Sequence, residues 1–272
     1  MKLEEYLQKH YSKTAIKSYL NTIHLYLRYM DERAESAVYA DIMEYIGHLR
    51  SRGLHAKSVR NHLHSIKIYY NYLLQTEKRE DHPCRYLYLK DKIDRQIHSE
   101  ELYSKEELEQ FYESFNITKE KIIAGLLVYQ ALTVQELTGL KVKDIDLENG
   151  TIDIKAGKQN NDRTLSLKSK QILLLHHYIE NHPNKENYLI LNNKGEQQSG
   201  NDLKRMLNKK KTKKLSPLKI RQSVITHLIK EQHDIRVVQS FAGHKRTSST
   251  EAYKQSGLEE LKTIIGKYHP LQ

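Results

Sequence analysis

The chain has 272 residues, room for two ordinary domains with a core in each, and its formal net charge of +11 and pI near 9.3 favour a polyanionic partner. One cysteine, Cys84, excludes an internal disulfide framework or a Cys-rich zinc site, and the 15 histidines form no His-Glu-x-x-His or similar ligand pair, so neither a metal nor a cofactor is expected. The opening MKLEEYLQKH has no apolar signal core and no stretch approaches roughly 18 consecutive apolar residues, so the expectation is a cytoplasmic protein without membrane spans.

Residues 1 to 87 read as helices only. Ser12 can cap a helix that keeps Ile16, Tyr19, Leu20, Ile23, Tyr26, Leu27 and Met30 on one face. Asp41 opens the next, with Ile42, Tyr45, Ile46 and Leu49 buried and Gly53 just past its end. Ser58 starts a third, striped by Val59, Leu63, Ile66, Tyr70, Leu73 and Leu74. The opposite face of that helix carries Arg60, Asn61, His64 and Lys67, a set of donors suited to a DNA groove or to phosphates, and equally the make-up of a solvated face. Periodicity disappears from Lys90 to Tyr103, where charges dominate. The expected organisation is a helical unit over 1–87, a linker over 88–103 and a second domain over 104–272.

In the second domain, Ser104 and Glu107 have capping-box spacing before a helix bearing Leu108, Phe111, Tyr112 and Phe115, and a strongly apolar helix runs from Ile122 to about Leu132. Thr133 and Glu136 repeat the capping-box spacing. Alternation over Thr151 to Lys155 and again over Thr164 to Leu167, around the polar turn Gly157 to Asp162, predicts a hairpin. A helix with Ile172, Leu173, Leu175, Tyr178 and Ile179, a short strand from Tyr188 to Leu191 and one more helix follow, the last ending in the basic run Lys209 to Lys214. Ser216-Pro217 opens a helix with Val224, Ile225, Leu228 and Ile229 towards the core and Arg221, one turn before Ile225, at the rim of that face. Asp234 caps the next helix, Gly243 stops it and His244 follows directly, while Ser248 and Glu251 suggest a box that places Tyr253 in the first turn of another. A terminal helix is expected from Leu258 to about Lys267. The fold class is therefore mainly α with a small β-hairpin, in two domains.

Arg221 and His244 stand 23 residues apart, and Tyr253 follows His244 by 9. That spacing, with the Gly-His turn, resembles the carboxy-terminal signature of the tyrosine recombinases, the phage integrase family, and TVQELTGLKVKDIDL resembles the family's first catalytic box through Glu136-Leu137, Gly139-Leu140 and Asp144-Ile145. The resemblance implies a two-domain clamp on double-stranded DNA with a helical core-binding domain and an α+β catalytic domain. It implies Tyr253 as nucleophile, Arg221 and His244 as phosphate donors, and Lys158 on the hairpin as the acid for the departing 5′ oxygen. It also implies a homotetramer on DNA and service to a mobile element. Two positions depart: Thr133 stands where the family has its first catalytic Arg, and Leu218 where its His-x-x-Arg box begins. Either another cation, from Lys141, Lys143, Arg163, Lys219 or Arg246, makes up the charge, or the chain is a catalytically impaired DNA-binding partner of an active recombinase. An unrelated RNA- or phosphate-binding helical protein would require both spacings to be coincidence.

Overall fold

The computed structural model describes residues 2–92, 97, 102–155, 157, 160–183, 187–209 and 215–254. The chain divides into two compact units, Met1–Arg95 and Gln96–Gln272.

The first unit is built from α1 (Leu3–His10), α2 (Lys13–Met30), α3 (Tyr39–Ser51) and α4 (Ala56–Gln75). The expected stripes are the buried ones, but two helices start earlier than their presumed caps. Asp41 lies inside the first turn of α3, where its carboxylate accepts from the Val38 N–H at 2.8 Å. For α4 the cap is His55, whose ring nitrogen accepts from the Lys57 N–H, so Ser58 is already helical. Tyrosine supplies the aromatic mass of this core, since the chain has no Trp and only 3 Phe. Each buried phenol then needs a partner. Tyr26 and Tyr70 share a 2.5 Å hydroxyl contact, Tyr70 donates to the Ala34 carbonyl at 2.8 Å, and Tyr45 meets His62 Nδ1 at 2.9 Å. Cys84 is buried in the same core, and burial pushes its thiol up to about 12, so it is not a nucleophile at neutral pH. This core reaches past residue 87: Leu87 is buried, Leu89 packs against it, and Asp91 pairs with Arg50 at 2.7 Å.

The second unit centres on α6 (Thr118–Tyr129), with Ile122 through Val128 all buried, as expected of a helix apolar all round. It is wrapped by α5 (Lys105–Glu113), α8 (Ser169–Glu180), α9 (Gly200–Asn208) and α10 (Pro217–Lys230). The helix stops before Leu132, because Gln130 turns its amide into a buried reciprocal pair with Gln171 and Ala131 takes φ +49°. Between α6 and α8 lie the short α7 (Val134–Gly139) and an antiparallel sheet in the order β1 (Ile145–Asp146), β2 (Thr151–Ile154), β3 (Arg163–Ser166). Register pairs Ile152 with Leu165 and Ile154 with Arg163. The strand period of two therefore turns Arg163 to the same buried face as Leu165. Tyr188 to Leu191 does not form the expected strand; it makes only single bridges, Lys141 to Tyr188 and Leu191 to Gln197. The chain continues through α11 (Ile235–Ala242) to the helical residues 247–254, here α12. The expected helix over 258–267 and residues 210–214 of the basic run lie outside the described residues.

Candidate active site

Arg221 sits on the second turn of α10, after Pro217 at the helix start; Ser216 precedes it without a side-chain cap bond. Sequence periodicity placed Arg221 at the rim of the core, yet it is only 5% exposed. Its two terminal nitrogens donate to the carbonyls of Ala131 and Ala242. Ala131 lies just past the end of α6 and Ala242 is the last residue of α11, so one guanidinium neutralises two helix-end acceptors and ties both helix ends together.

The second turn carries His244. Asp234 caps α11 by accepting from the Arg236 and Val237 N–H groups, and Gly243 ends it at φ +69°, in the left-handed region where glycine has no Cβ penalty. The His244 N–H donates to Gln239 O at 3.0 Å, and the Gln239 amide returns a bond to His244 O at 3.0 Å. On the hairpin side the Asn161 N–H donates to Gly243 O at 2.8 Å, and Asn160 bridges to His244. His244 Nδ1 lies 2.9 Å from Thr250 Oγ1 on α12. Burial, with Arg221 and Arg163 nearby, lowers the imidazole to about 4, so it is neutral near pH 7.

Tyr253 comes from α12, which begins at residue 247, so Ser248 and Glu251 lie within the helix and are not its opening box. The ring is 8% exposed, packed among Ile225, Val238 and Ala242, and lies nearly parallel to His244 with centroids 6.0 Å apart. Burial raises its phenol, and the Arg221 charge opposes that. Three residues from three separate elements thus lie together: the His244 and Tyr253 rings face each other, and the Arg221 charge acts on both.

At the first box, Thr133 caps α7 as its spacing predicts: its Oγ1 accepts from the Glu136 N–H at 3.2 Å. Glu136 is a hub. One oxygen accepts from Arg163 Nη1 at 2.7 Å and Asn160 Nδ2 at 3.1 Å; the other takes Thr133 N–H at 2.8 Å, Thr133 Oγ1 at 2.9 Å and Arg163 Nη2 at 3.2 Å. Burial alone would raise this carboxyl, but the Arg163 fork, the Thr133 N–H and the Arg163 and Arg221 charges hold it down to about 2. Sequence reading missed Asn160 and Thr250, for which spacing gives no signal, and saw Arg163 only as a spare cation.

Of the remaining candidates, Lys158 lies outside the described residues. Leu218 is 64% exposed and offers no donor where the signature has one. Lys141 lies over the Tyr188 ring, and Lys143 and Arg246 are exposed. On α4, the four proposed DNA contacts are not equivalent. Arg60 donates to Asp91 O at 3.1 Å, and Lys67 donates to Arg85 O at 2.9 Å beneath the Tyr88 ring, so both hold down the segment after α4. His64 rests against Tyr19, and Asn61 is exposed.

Comparison with known proteins agrees with this geometry. The phage integrase family model matches residues 101–260, and the model of the phage integrase N-terminal SAM-like domain matches 2–80. Among curated proteins, tyrosine recombinase XerC of Bacillus pumilus is 27% identical over 98% of this chain and 94% of its own length. Tyrosine recombinase XerA of Pyrococcus furiosus is 25% identical over 93% and 89%. Among solved structures, the Tn1549 transposon integrase in complex with transposon right end DNA superposes with TM-score 0.66 at 18% identity, over 97% of this chain and 99% of that one. A lambda integrase dimer bound to a core site gives TM-score 0.71 at 14% identity, over 93% and 75%. Family match, two-unit architecture and the grouping of Arg221, His244 and Tyr253 agree: this chain belongs to the phage integrase family of tyrosine recombinases.

Proposed function

We propose that the chain is a site-specific DNA recombinase in which the Tyr253 oxygen, giving up its proton to water, attacks a scissile phosphorus. The bond to the 5′ oxygen breaks, and the DNA is held as a 3′-phosphotyrosine until a second strand's 5′ hydroxyl reverses the step. Arg221, with the N–H groups left over from the Ala131 and Ala242 carbonyls, and neutral His244 donate to the non-bridging oxygens, and Lys158 protonates the leaving oxygen. The observation that carries this reading is the meeting of Arg221, His244 and Tyr253 from three separate elements. Exchange between two duplexes needs two cleavages in each, hence four copies on DNA, and Arg60, Asn61, His64 and Lys67 of the helical unit would contact that DNA. No helix among the described residues is long and apolar enough to cross a membrane, and the reading places the chain in the cytoplasm, serving a mobile element as the Tn1549 neighbour does.

Nicked duplexes selected from a random library by binding test it. Wild type should form a covalent adduct, while Tyr253→Phe binds equally and forms none; an adduct in that variant would refute the assignment. A second reading, a DNA-binding partner that cuts poorly, is favoured by one observation: Thr133 and Leu218 leave the pocket without two of the signature's donors. Each lost donor typically costs about 2.7 to 4 kcal/mol of transition-state stabilisation. Binding without any wild-type adduct would decide for it.

A further inference from the structure

Arg163 has been considered so far as a cation that could replace the guanidinium missing at Thr133. Its surroundings assign it a different part. Its side chain is 4% exposed, and both terminal nitrogens are spent on Glu136 in a two-pronged pair. Its Nε–H has no partner among the described residues but is buried, and a phosphate approaching the guanidinium would meet the Glu136 carboxylate already paired with it. What it does touch is the turn that carries His244: a Cβ built on Gly243 would lie 2.6 Å from Arg163 Nη1 and 3.0 Å from Asn161 O. The absence of a side chain at 243 is thus matched by the presence of a guanidinium, and the backbone of the Gly-His turn rests on it.

Resting on the functional reading above, we infer that Arg163 is a positioning residue: clamped by Glu136, it sets where the Gly243-His244 turn lies against Arg221 and Tyr253, and it does not touch the phosphate. The hairpin reaches the same turn through Asn160 and Asn161, so β3, α7 and the turn after α11 are joined at one ion pair. The groups that face His244 are Arg221 from α10, Arg163 from β3, Glu136 from α7, and Thr250 and Tyr253 from α12. Lys245 and Arg246 adjoin it in the turn and are exposed. Removing Arg163 deletes a positive neighbour of the imidazole, and neutralising Glu136 deletes a negative one, so the two changes act on His244 with opposite sign.

The test uses the full chain with Arg163→Met, Arg163→Lys and Glu136→Gln. In the free protein, NMR should show the His244 ring titrating higher in Arg163→Met and lower in Glu136→Gln than in wild type. In Arg163→Lys, which keeps the charge and loses the fork, the Asn161 amide should lose its protection from hydrogen exchange. Adduct formation on nicked DNA should fall about 100-fold in all three, the scale expected for reacting groups displaced by about 1 Å, with binding unchanged. Direct phosphate contact predicts the reverse pattern: Glu136→Gln frees Arg163 and leaves adduct formation unchanged or raised, and that result overturns the proposal. So do wild-type His244 titration and wild-type Asn161 protection in the Arg163 variants. If Arg163→Met does not fold, Arg163→Lys carries the exchange and adduct measurements alone. If wild type itself forms no adduct, the functional reading fails, while titration and exchange still decide the positioning role.

Discussion

Gly243→Ala probes the joint between the His244 turn and the buried ion pair through stability alone. Two costs can be separated. The first is conformational: φ +69° in an L-residue costs about 1 to 2 kcal/mol, and the variant pays it whatever its surroundings. The second is steric: the new methyl would stand 2.6 Å from Arg163 Nη1, 3.1 Å from Arg163 Cζ and 3.0 Å from Asn161 O. An arginine on the surface would swing away at little cost, but this one is held at 2.7 Å and 3.2 Å by a carboxylate with 3% side-chain exposure. Deleting one partner of a buried pair costs about 3 to 5 kcal/mol, and displacing it should cost part of that, so the total loss expected for Gly243→Ala is about 3 kcal/mol. In an Arg163→Met background the clash with the guanidinium vanishes while the conformational cost and the tight approach to Asn161 O stay, so about 2 kcal/mol remains, a coupling of about 1 kcal/mol between the positions. Urea unfolding of the second unit, read by exchange of the buried α6 amides, measures all four corners of the cycle. An additive cycle, with Gly243→Ala equally costly in both backgrounds, would refute the contact.

Thr133→Arg removes the hydroxyl that caps α7, for about 1 kcal/mol of stability, and returns a guanidinium to the first box; adduct formation should rise about 10- to 100-fold if no other cation fills that space. An unchanged or lower rate would show the space already taken, and the exposed Leu218→His, one turn from Arg221, tests the other gap separately. Binding should weaken steeply with salt, with a log-log slope of about 0.9 per phosphate neutralised; a slope equivalent to one or two contacts would exclude a clamp. The pH dependence has a definite sign. His244 is lowered in the folded chain to about 4, so the stability tied to its neutral form is complete above its unfolded value near 6.5 and is lost as pH falls towards 4; adduct formation should be level from pH 5 upwards on this limb and drop below it. Glu136, lowered to about 2, contributes stability above about 4.5 that disappears as pH falls through 2, and Glu136→Gln should flatten that acid limb in an unfolding curve.

Local information decided the helices whose apolar period is sustained and whose caps are residues of ordinary capping type. Ser104 with Glu107, Thr133 with Glu136, Asp234 and Gly243 each act within a few residues, so sequence spacing suffices to find them. The order Arg221, Gly243-His244, Tyr253 was legible through its resemblance to the family signature, each residue standing near a helix start or stop. Starts whose cap is not a residue of ordinary capping type were misjudged by a turn or less, as at Tyr39 behind Val38, Ala56 behind His55, and residue 247. What no spacing could supply is which groups from distant elements meet. Arg221 read as a rim residue and is buried because two turns, 90 and 21 residues away, bring their carbonyls to it. Arg163 read as one of five spare cations; strand register turned it inward, and a carboxylate 27 residues back made that burial tolerable. The sequence by itself determined the elements, through interactions that close over one helical turn, while the proposed reacting groups came from its resemblance to the tyrosine recombinases. Only the tertiary structure decided which charges are spent on the protein and which are left for a phosphate, because that depends on partners brought together by folding.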